Sequence, residues 1–275
     1  MLPIGLNHMT VPHVSAIALI DMAARLGCVG IELRNDLGRP LFDGVDPAEI
    51  KATLAENEQR LLAIAEVPAF NEAPRDKAAS VLHLIQEGSS SGAEGIALIP
   101  KVAGAAVDRA EQRTALRDAL IAMQPMFEDH GMRGLIEPLG FTKSTLRFQE
   151  DVVAILDELG RPDCFAIIHD TFHYHLGGGG PVYPELTAVV HISGVVDPGP
   201  QTDEMTDAHR VLIDADDRLR SVQQLKALRA AGYDGPASFE AFAPEIHDMT
   251  DPTAALAGSI AFITSQLTEV SAVQV

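Results

Sequence analysis

Residues 165–175 read Phe-Ala-Ile-Ile-His-Asp-Thr-Phe-His-Tyr-His. The first four, Phe165 to Ile168, form a short, continuously apolar run of the kind buried on both faces in a parallel sheet. The run stops at His169, where seven positions hold one carboxylate and three imidazoles, and the glycines Gly177 to Gly180 follow. Setting such groups beside an apolar strand is costly unless something pairs with them. A metal ion together with a polar substrate would do so. The glycines are not a phosphate loop, because no Lys-Ser/Thr follows; they relieve crowding where the chain turns sharply.

The same unit recurs outward in both directions. Strand-like runs occur at Pro3–Asn7, Cys28–Arg34, Leu61–Ala65, Gly95–Lys101, Gly134–Ile136, Phe165–Ile168, Ala188–Ile192 and Ala237–Phe242. Helical periodicity or capping signals mark Ile17–Leu26, a helix opening at Pro47, about Arg75–Gly88, Val107–Phe127, Phe148–Leu159, Leu219–Ala231 and Pro252–Leu267. Strict β/α alternation predicts a parallel sheet, and eight repeats predict closure into a (β/α)8 TIM barrel, one domain over residues 1–275. An open doubly wound sheet is the alternative, but no G-x-G-x-x-G follows the first strand.

With 275 residues, 47% of them hydrophobic, the chain can bury a large core. Cys28 and Cys164 are the only cysteines and both sit in apolar runs, so buried free thiols are expected. Met1 is followed by no basic n-region and no long apolar stretch, which predicts no signal peptide. No apolar run reaches the length of a membrane span. A cytoplasmic enzyme is the expectation. The net charge of −19 offers little for the basic face a nucleic-acid binder needs and mildly disfavours a multiply phosphorylated substrate, which a local basic pocket could override, so a neutral polar small molecule fits better.

In a barrel the C-terminal ends of all strands meet at one mouth. Glu137, Asp170, His191 and Glu240 stand at the ends of strands five to eight. Three carboxylates and one imidazole suit one divalent ion, Mn²⁺, Co²⁺, Zn²⁺ or Mg²⁺, with no thiolate to narrow the choice. A lone carboxylate at a strand end is more often a helix cap, and a lone buried histidine a satisfied core residue. Four at equivalent places on consecutive units shift the balance to metal. His169 and His175 keep the bland reading, one in or behind the barrel and one against the loop. Asn7, His8, Glu32 and Glu66 end the early strands and are candidate substrate contacts, with solvated loop positions as the competing reading.

These residues resemble a known family, the xylose-isomerase-like TIM-barrel sugar isomerases and epimerases, and within it the inosose (2-keto-myo-inositol) isomerases of inositol catabolism. The resemblance covers nearly the whole chain. It is carried by Glu137 with Gly140 and Thr145, by Asp170 to His175, and by Val190-His191-Ile192. Further matches are Asp207 to Val211, Leu228 to Tyr233, and Ser238 to Glu245. It implies the same four metal ligands and adds His173 and Arg210 as substrate contacts. Where relatives often carry Pro-Gly-x-Gly after that arginine, this chain reads Leu212-Ile213-Asp214-Ala215-Asp216.

The implied activity is isomerisation or epimerisation of a neutral polyol ketone, an inosose or a ketose, by proton transfer through an enediolate, with Glu137 and Glu240 as base and acid. The expected partner is that small molecule, with no nucleic acid and no membrane; a homo-oligomer is left open. Rival readings are an inosose or dehydroshikimate-type dehydratase on the same fold, and a non-catalytic metal-containing binding protein. A DNA-repair endonuclease of this fold would need more metal-binding histidines and a basic face.

Overall fold

Every strand of the computed structural model pairs in parallel with its sequence neighbour, and the last pairs with the first, so the sheet closes. The structure describes residues 2–102 and 108–268. The strands are β1 (Ile4–Asn7), β2 (Gly30–Arg34), β3 (Arg60–Pro68), β4 (Gly95–Ile99), β5 (Arg133–Ile136), β6 (Phe165–Asp170), β7 (Thr187–Ile192) and β8 (Ala237–Phe239). The helices are α1 (Ala16–Arg25), α2 (Pro47–Glu56), α3 (Ala78–Ser91), α4 (Arg109–Asp129), α5 (Gln149–Glu158), α6 (Thr171–Leu176), α7 (Ser221–Ala230), α8 (Pro244–His247) and α9 (Pro252–Thr268). The expected (β/α)8 barrel is therefore observed. Val107, expected to open the fourth helix, lies outside the described residues, as do the two ends of the expected 1–275 domain.

The strand period of two splits the core into two shells. One set of side chains, including Leu6, Ile31, Leu33, Ile64, Leu98, Ile167, Val190 and Phe239, points outward into the layer shared with the helices. The alternate set, Ala63, Ala65, Ala97, Leu135, Ala166, Ile168 and Val189, fills the barrel interior. Because both faces of each strand are buried, the runs read as continuously apolar. Each fully buried Leu or Ile contributes about 1.5–3 kcal/mol of transfer free energy. Cys28 and Cys164 are free and buried, as expected.

The expected helices are present, with ends moved by a few residues. Local chemistry accounts for several of them: Ser15, Asp46 and Asp108 cap α1, α2 and α4 by accepting backbone N–H bonds. The unit after β6 departs from the pattern. Instead of a long helix it carries the six-residue α6, which is capped by Gly177 and followed by Gly178, Gly179 and Gly180 at φ of +91°, +76° and +141°. This is the left-handed region that glycine enters without steric cost, so the four-glycine run serves the sharp turn. Gly140 has a different reason: a Cβ there would lie 2.1 Å from the His173 carbonyl oxygen, so only glycine lets that loop approach α6.

Candidate metal centre

In β5 to β7, Leu135, Ile168 and Val189 belong to the cluster that fills the barrel interior, and in β8 Ser238 lies between Ala237 and Phe239, which face the outer shell. Two residues further along each chain segment stand Glu137, Asp170, His191 and Glu240, which face the same way at the C-terminal mouth. Register adds precision, since Asp170 pairs directly with His191 across β6 and β7. One ligand atom from each of the four residues lies within 4.8 Å of all the others, and all four residues are buried. His191 Nδ1 is 3.2 Å from Glu240 Oε2, 3.3 Å from Glu137 Oε1 and 3.9 Å from Asp170 Oδ2. Bonds of about 2.1 Å to a central ion set tetrahedral ligand atoms roughly 3.4 Å apart. The donor set and its spacing fit a divalent cation.

The electrostatics show why such a cup wants positive charge. Burial pushes the Glu137 carboxyl up to about 7, against the opposing pull of His191. Burial opposes ionisation of Glu240 too, but His191, Arg210 and Arg34 outweigh it and hold that carboxyl well below the usual range. For His191 burial disfavours the charged ring, yet Glu240, Glu32 and Glu137 hold it well above the usual imidazole range.

Two arginines hem in these carboxylates. Arg210, 1% exposed, donates through Nη2 to Asp170 Oδ2 at 2.6 Å and to Glu240 Oε2 at 2.9 Å, and through Nε to Ser193 Oγ at 3.1 Å. Its guanidinium lies over the rings of Phe172 and Phe242, and its carbonyl accepts from the amides of Phe242 and Ala243. Arg34 donates to the other oxygen of Glu240 at 2.9 Å, to both oxygens of Asp36, and to Glu66 at 3.4 Å. Arg34 was missed from the sequence. Its signal was its place two residues after Glu32, on the inward face of β2.

The early-strand candidates are not solvated loop residues. Asn7 donates to Glu240 Oε1 at 3.3 Å and is itself held by the Met9 amide. Glu32 is completely buried and accepts from His191 Nε2 at 2.9 Å. Glu66 is half-buried, and burial pushes its carboxyl up to about 7 despite Arg34. His8 sits apart from the carboxylates, with Nε2 2.8 Å from Arg39 Nη2 and 2.9 Å from the Val14 carbonyl.

The histidines after β6 divide by direction. His169 points outward between helices. Gln149 Nε2 donates to its Nδ1 at 3.0 Å, and its Nε2 donates to Gln224 Oε1 at 3.1 Å. Gln224 is in turn oriented by donating to the Thr171 and Leu219 carbonyls. Burial pushes His169 down to about 4, so it is a neutral core histidine behind the barrel. His173 is buried edge-on to Phe141 and Phe172, and its Nδ1 has no hydrogen-bond partner. Burial, then Arg210, push it down to about 3. His175 is half-buried beside the glycine turn. Asp170 caps α6, its Oδ1 accepting from the His173 amide at 2.9 Å, and its Oδ2 faces Arg210 and His191 within the candidate ligand cluster.

No curated protein matches the chain. Among solved structures, a xylose isomerase domain containing protein (stm4435) from Salmonella typhimurium LT2 superposes with a TM-score of 0.85 at 25% identity, covering 97% of each chain. The IolI protein, solved with a bound zinc atom, superposes at 0.84 with 18% identity over 98% of this chain and 99% of its own. D-psicose 3-epimerase from Clostridium cellulolyticum H10, solved with D-tagatose, gives 0.72 at 14% identity over 97% and 99%. A family model described as xylose isomerase-like TIM barrel matches residues 20–266, most of the chain. With the closed parallel barrel and the tip residues of its second half, this places the chain in the xylose isomerase-like TIM-barrel family.

Proposed function

We propose that the protein is a divalent-metal-dependent isomerase or epimerase of a neutral polyol ketone, an inosose or a ketose. The observation that carries this is the convergence of Glu137, Asp170, His191 and Glu240 at the mouth, three carboxylates and one imidazole within ion-binding distance. These four residues would hold one Mn²⁺, Co²⁺, Zn²⁺ or Mg²⁺. A divalent ion held there would supply Lewis acidity to an α-hydroxyketone, acidifying the C–H on its hydroxyl-bearing carbon. Thiolate-rich structural zinc sites are closed, whereas this oxygen-rich set sits at a barrel mouth, where active sites of this fold lie.

The chain's own groups then divide the labour. Glu137 and Glu240 flank the site from β5 and β8 and exchange the proton with substrate carbon. They are not equivalent. Both oxygens of Glu240 already accept from arginines, while Glu137 faces only His191 among the cationic side chains bonded to it. His173, with its free Nδ1, and Arg210 hold substrate oxygens and steady developing charge. Asn7 and Glu66 line the opposite side, and His8 supports that wall through the Val14 turn. Charge favours a neutral substrate, because Arg34 and Arg210 are already matched with carboxylates. The IolI structure with zinc and the epimerase structure with D-tagatose are in keeping with this reading. The implied setting is cytoplasmic; among the described residues no helix is long and apolar enough to cross a membrane.

The test is product identification by NMR on a panel of inososes and ketohexoses in D₂O with Mn²⁺ present. The expected result is an isomer or epimer carrying deuterium at the exchanging carbon. Loss of water from the product would make the enzyme a dehydratase. Complete retention of substrate hydrogen over many turnovers would refute proton transfer by the two glutamates.

A further inference from the structure

We propose that Glu32 is a positioning residue for the metal: it decides which nitrogen of His191 is offered to the ion. The inference rests on the metal-dependent reading above and assigns a part to a residue that the sequence pointed toward substrate.

The geometry is two-sided. His191 Nε2 lies 2.9 Å from Glu32 Oε2, while Nδ1 faces Glu240, Glu137 and Asp170. A neutral imidazole carries one N–H, and an ionised carboxylate can only accept. A carboxylate against Nε2 therefore fixes the proton there and turns the Nδ1 lone pair toward the other three ligands. An amide in its place could flip and present a donor instead, leaving the tautomer undetermined. Carboxylate–histidine–metal chains of this kind orient the ring and raise its basicity as a ligand.

Glu32 has no competing structural duty among its described contacts. It is fully buried on β2 between the outward-facing core residues Ile31 and Leu33, and its only ion-pair partner is His191. Its second oxygen, Oε1, has no hydrogen-bond partner. A fully buried carboxylate with one oxygen unmatched costs the fold free energy. That cost is accounted for if the function of the residue is to direct His191. Ser238 supplies a control: it pairs in register with His191, is also completely buried, and its Oγ likewise has no partner, yet it makes no bond to the ring.

The experiment uses the full chain, stripped of metal and titrated calorimetrically with Zn²⁺ and Mn²⁺, as wild type, Glu32→Gln, Glu32→Leu and Ser238→Ala. In parallel, ¹⁵N-histidine NMR of the Zn²⁺-loaded wild type reads which ring nitrogen keeps its proton. We expect the proton on Nε2, metal affinity weakened about 10- to 100-fold in Glu32→Gln and at least as much in Glu32→Leu, and the affinity of Ser238→Ala close to that of wild type, well short of that loss. If Glu32→Leu does not fold, the isosteric Glu32→Gln and the wild-type NMR still decide. Unchanged affinity in Glu32→Gln, or zinc on Nε2, overturns the assignment while leaving the metal site standing. A wild-type chain that binds no divalent ion overturns the metal-dependent reading itself, and the role of Glu32 with it.

Discussion

Replacing Arg210 by Met tests how the cup is balanced. Methionine keeps an apolar, flexible stem against Phe172 and Phe242 but removes the guanidinium. Three bonds to carboxylates are lost; the one from Nη1 to Asp207 at 3.2 Å involves a partly exposed partner and costs least, and the two to Asp170 and Glu240 do not cost the same. Glu240 keeps Arg34 on its other oxygen at 2.9 Å, so it remains paired. Asp170 keeps only the His173 amide at 2.9 Å and the His191 ring at 3.9 Å. Removing one partner of a buried ion pair costs about 3–5 kcal/mol, mostly through the charge left behind. The surviving amide bond puts the expectation near the lower end, about 3 kcal/mol, a large part of the 5–15 kcal/mol typical of a domain. The assay is urea unfolding, once with chelator and once with saturating Mn²⁺. With chelator the variant should lose that amount. With Mn²⁺ it should lose less, because a cation among the same carboxylates replaces the missing charge. A loss below about 1 kcal/mol with chelator, the scale of a surface pair, would refute the argument. So would equal losses under both conditions.

Three other outcomes are expected. Chelation should abolish turnover of an α-hydroxyketone and Mn²⁺ or Co²⁺ should restore it, with Asp170→Asn needing more metal for half-maximal activity; full activity in protein shown metal-free by elemental analysis would contradict this. His173→Ala should leave metal content unchanged and cut kcat/KM by more than roughly tenfold, about 1.4 kcal/mol of transition-state stabilisation, and unchanged kinetics would demote it to a packing residue. The pH dependence of folding should carry a contribution from His169, whose ring is pushed from about 6.5 down to about 4 by burial. Unfolded chains take up that proton below pH 6.5 and folded ones only near pH 4. Stability therefore falls as pH drops through this window, by up to roughly 3 kcal/mol at 1.4 kcal/mol per unit. His169→Asn should flatten the slope between pH 6.5 and 4 in urea titrations, and an unchanged slope would reject the buried neutral imidazole.

The barrel was legible because both faces of its strands are buried, which makes each strand an apolar run that ends on a polar residue. The convergence of the four candidate ligands was legible for a related reason: residues 137, 170, 191 and 240 share one position on four successive units. The apolar pattern ends β3 before Glu66, whereas the strand runs to Pro68. There polar Glu66 interrupts the apolar pattern although the backbone stays extended. The short α6 was not foreseen, because six residues of mixed histidines and aromatics carry no helical period. Pairings were hidden for a deeper reason. Glu32 with His191 and Arg34 with Glu240 are contacts across the barrel, 159 and 206 residues apart. Strand periodicity places each side chain on a face but does not say which charge on another strand it will meet.

The closure of the sheet has a consequence for how the chain is made. Asn7 and Glu240, which touch at the mouth, are separated by 233 residues, and β1 must await β8 before its free edge is covered. During synthesis at about 5–20 residues per second, β1 therefore stands with an unpaired edge for roughly ten seconds or more. That edge is short, only four residues, which limits its reach as a template for pairing with other chains. The centre is also not assembled piecemeal. Until Glu240 arrives, Arg34 and Arg210 lack the carboxylate that joins them, and the cluster of Glu137, Asp170 and His191 lacks its fourth member. Under the proposed metal-dependent reading, loading of the ion would be tied to the last strand taking its place, and a chain truncated before β8 would lose the barrel and the candidate site together.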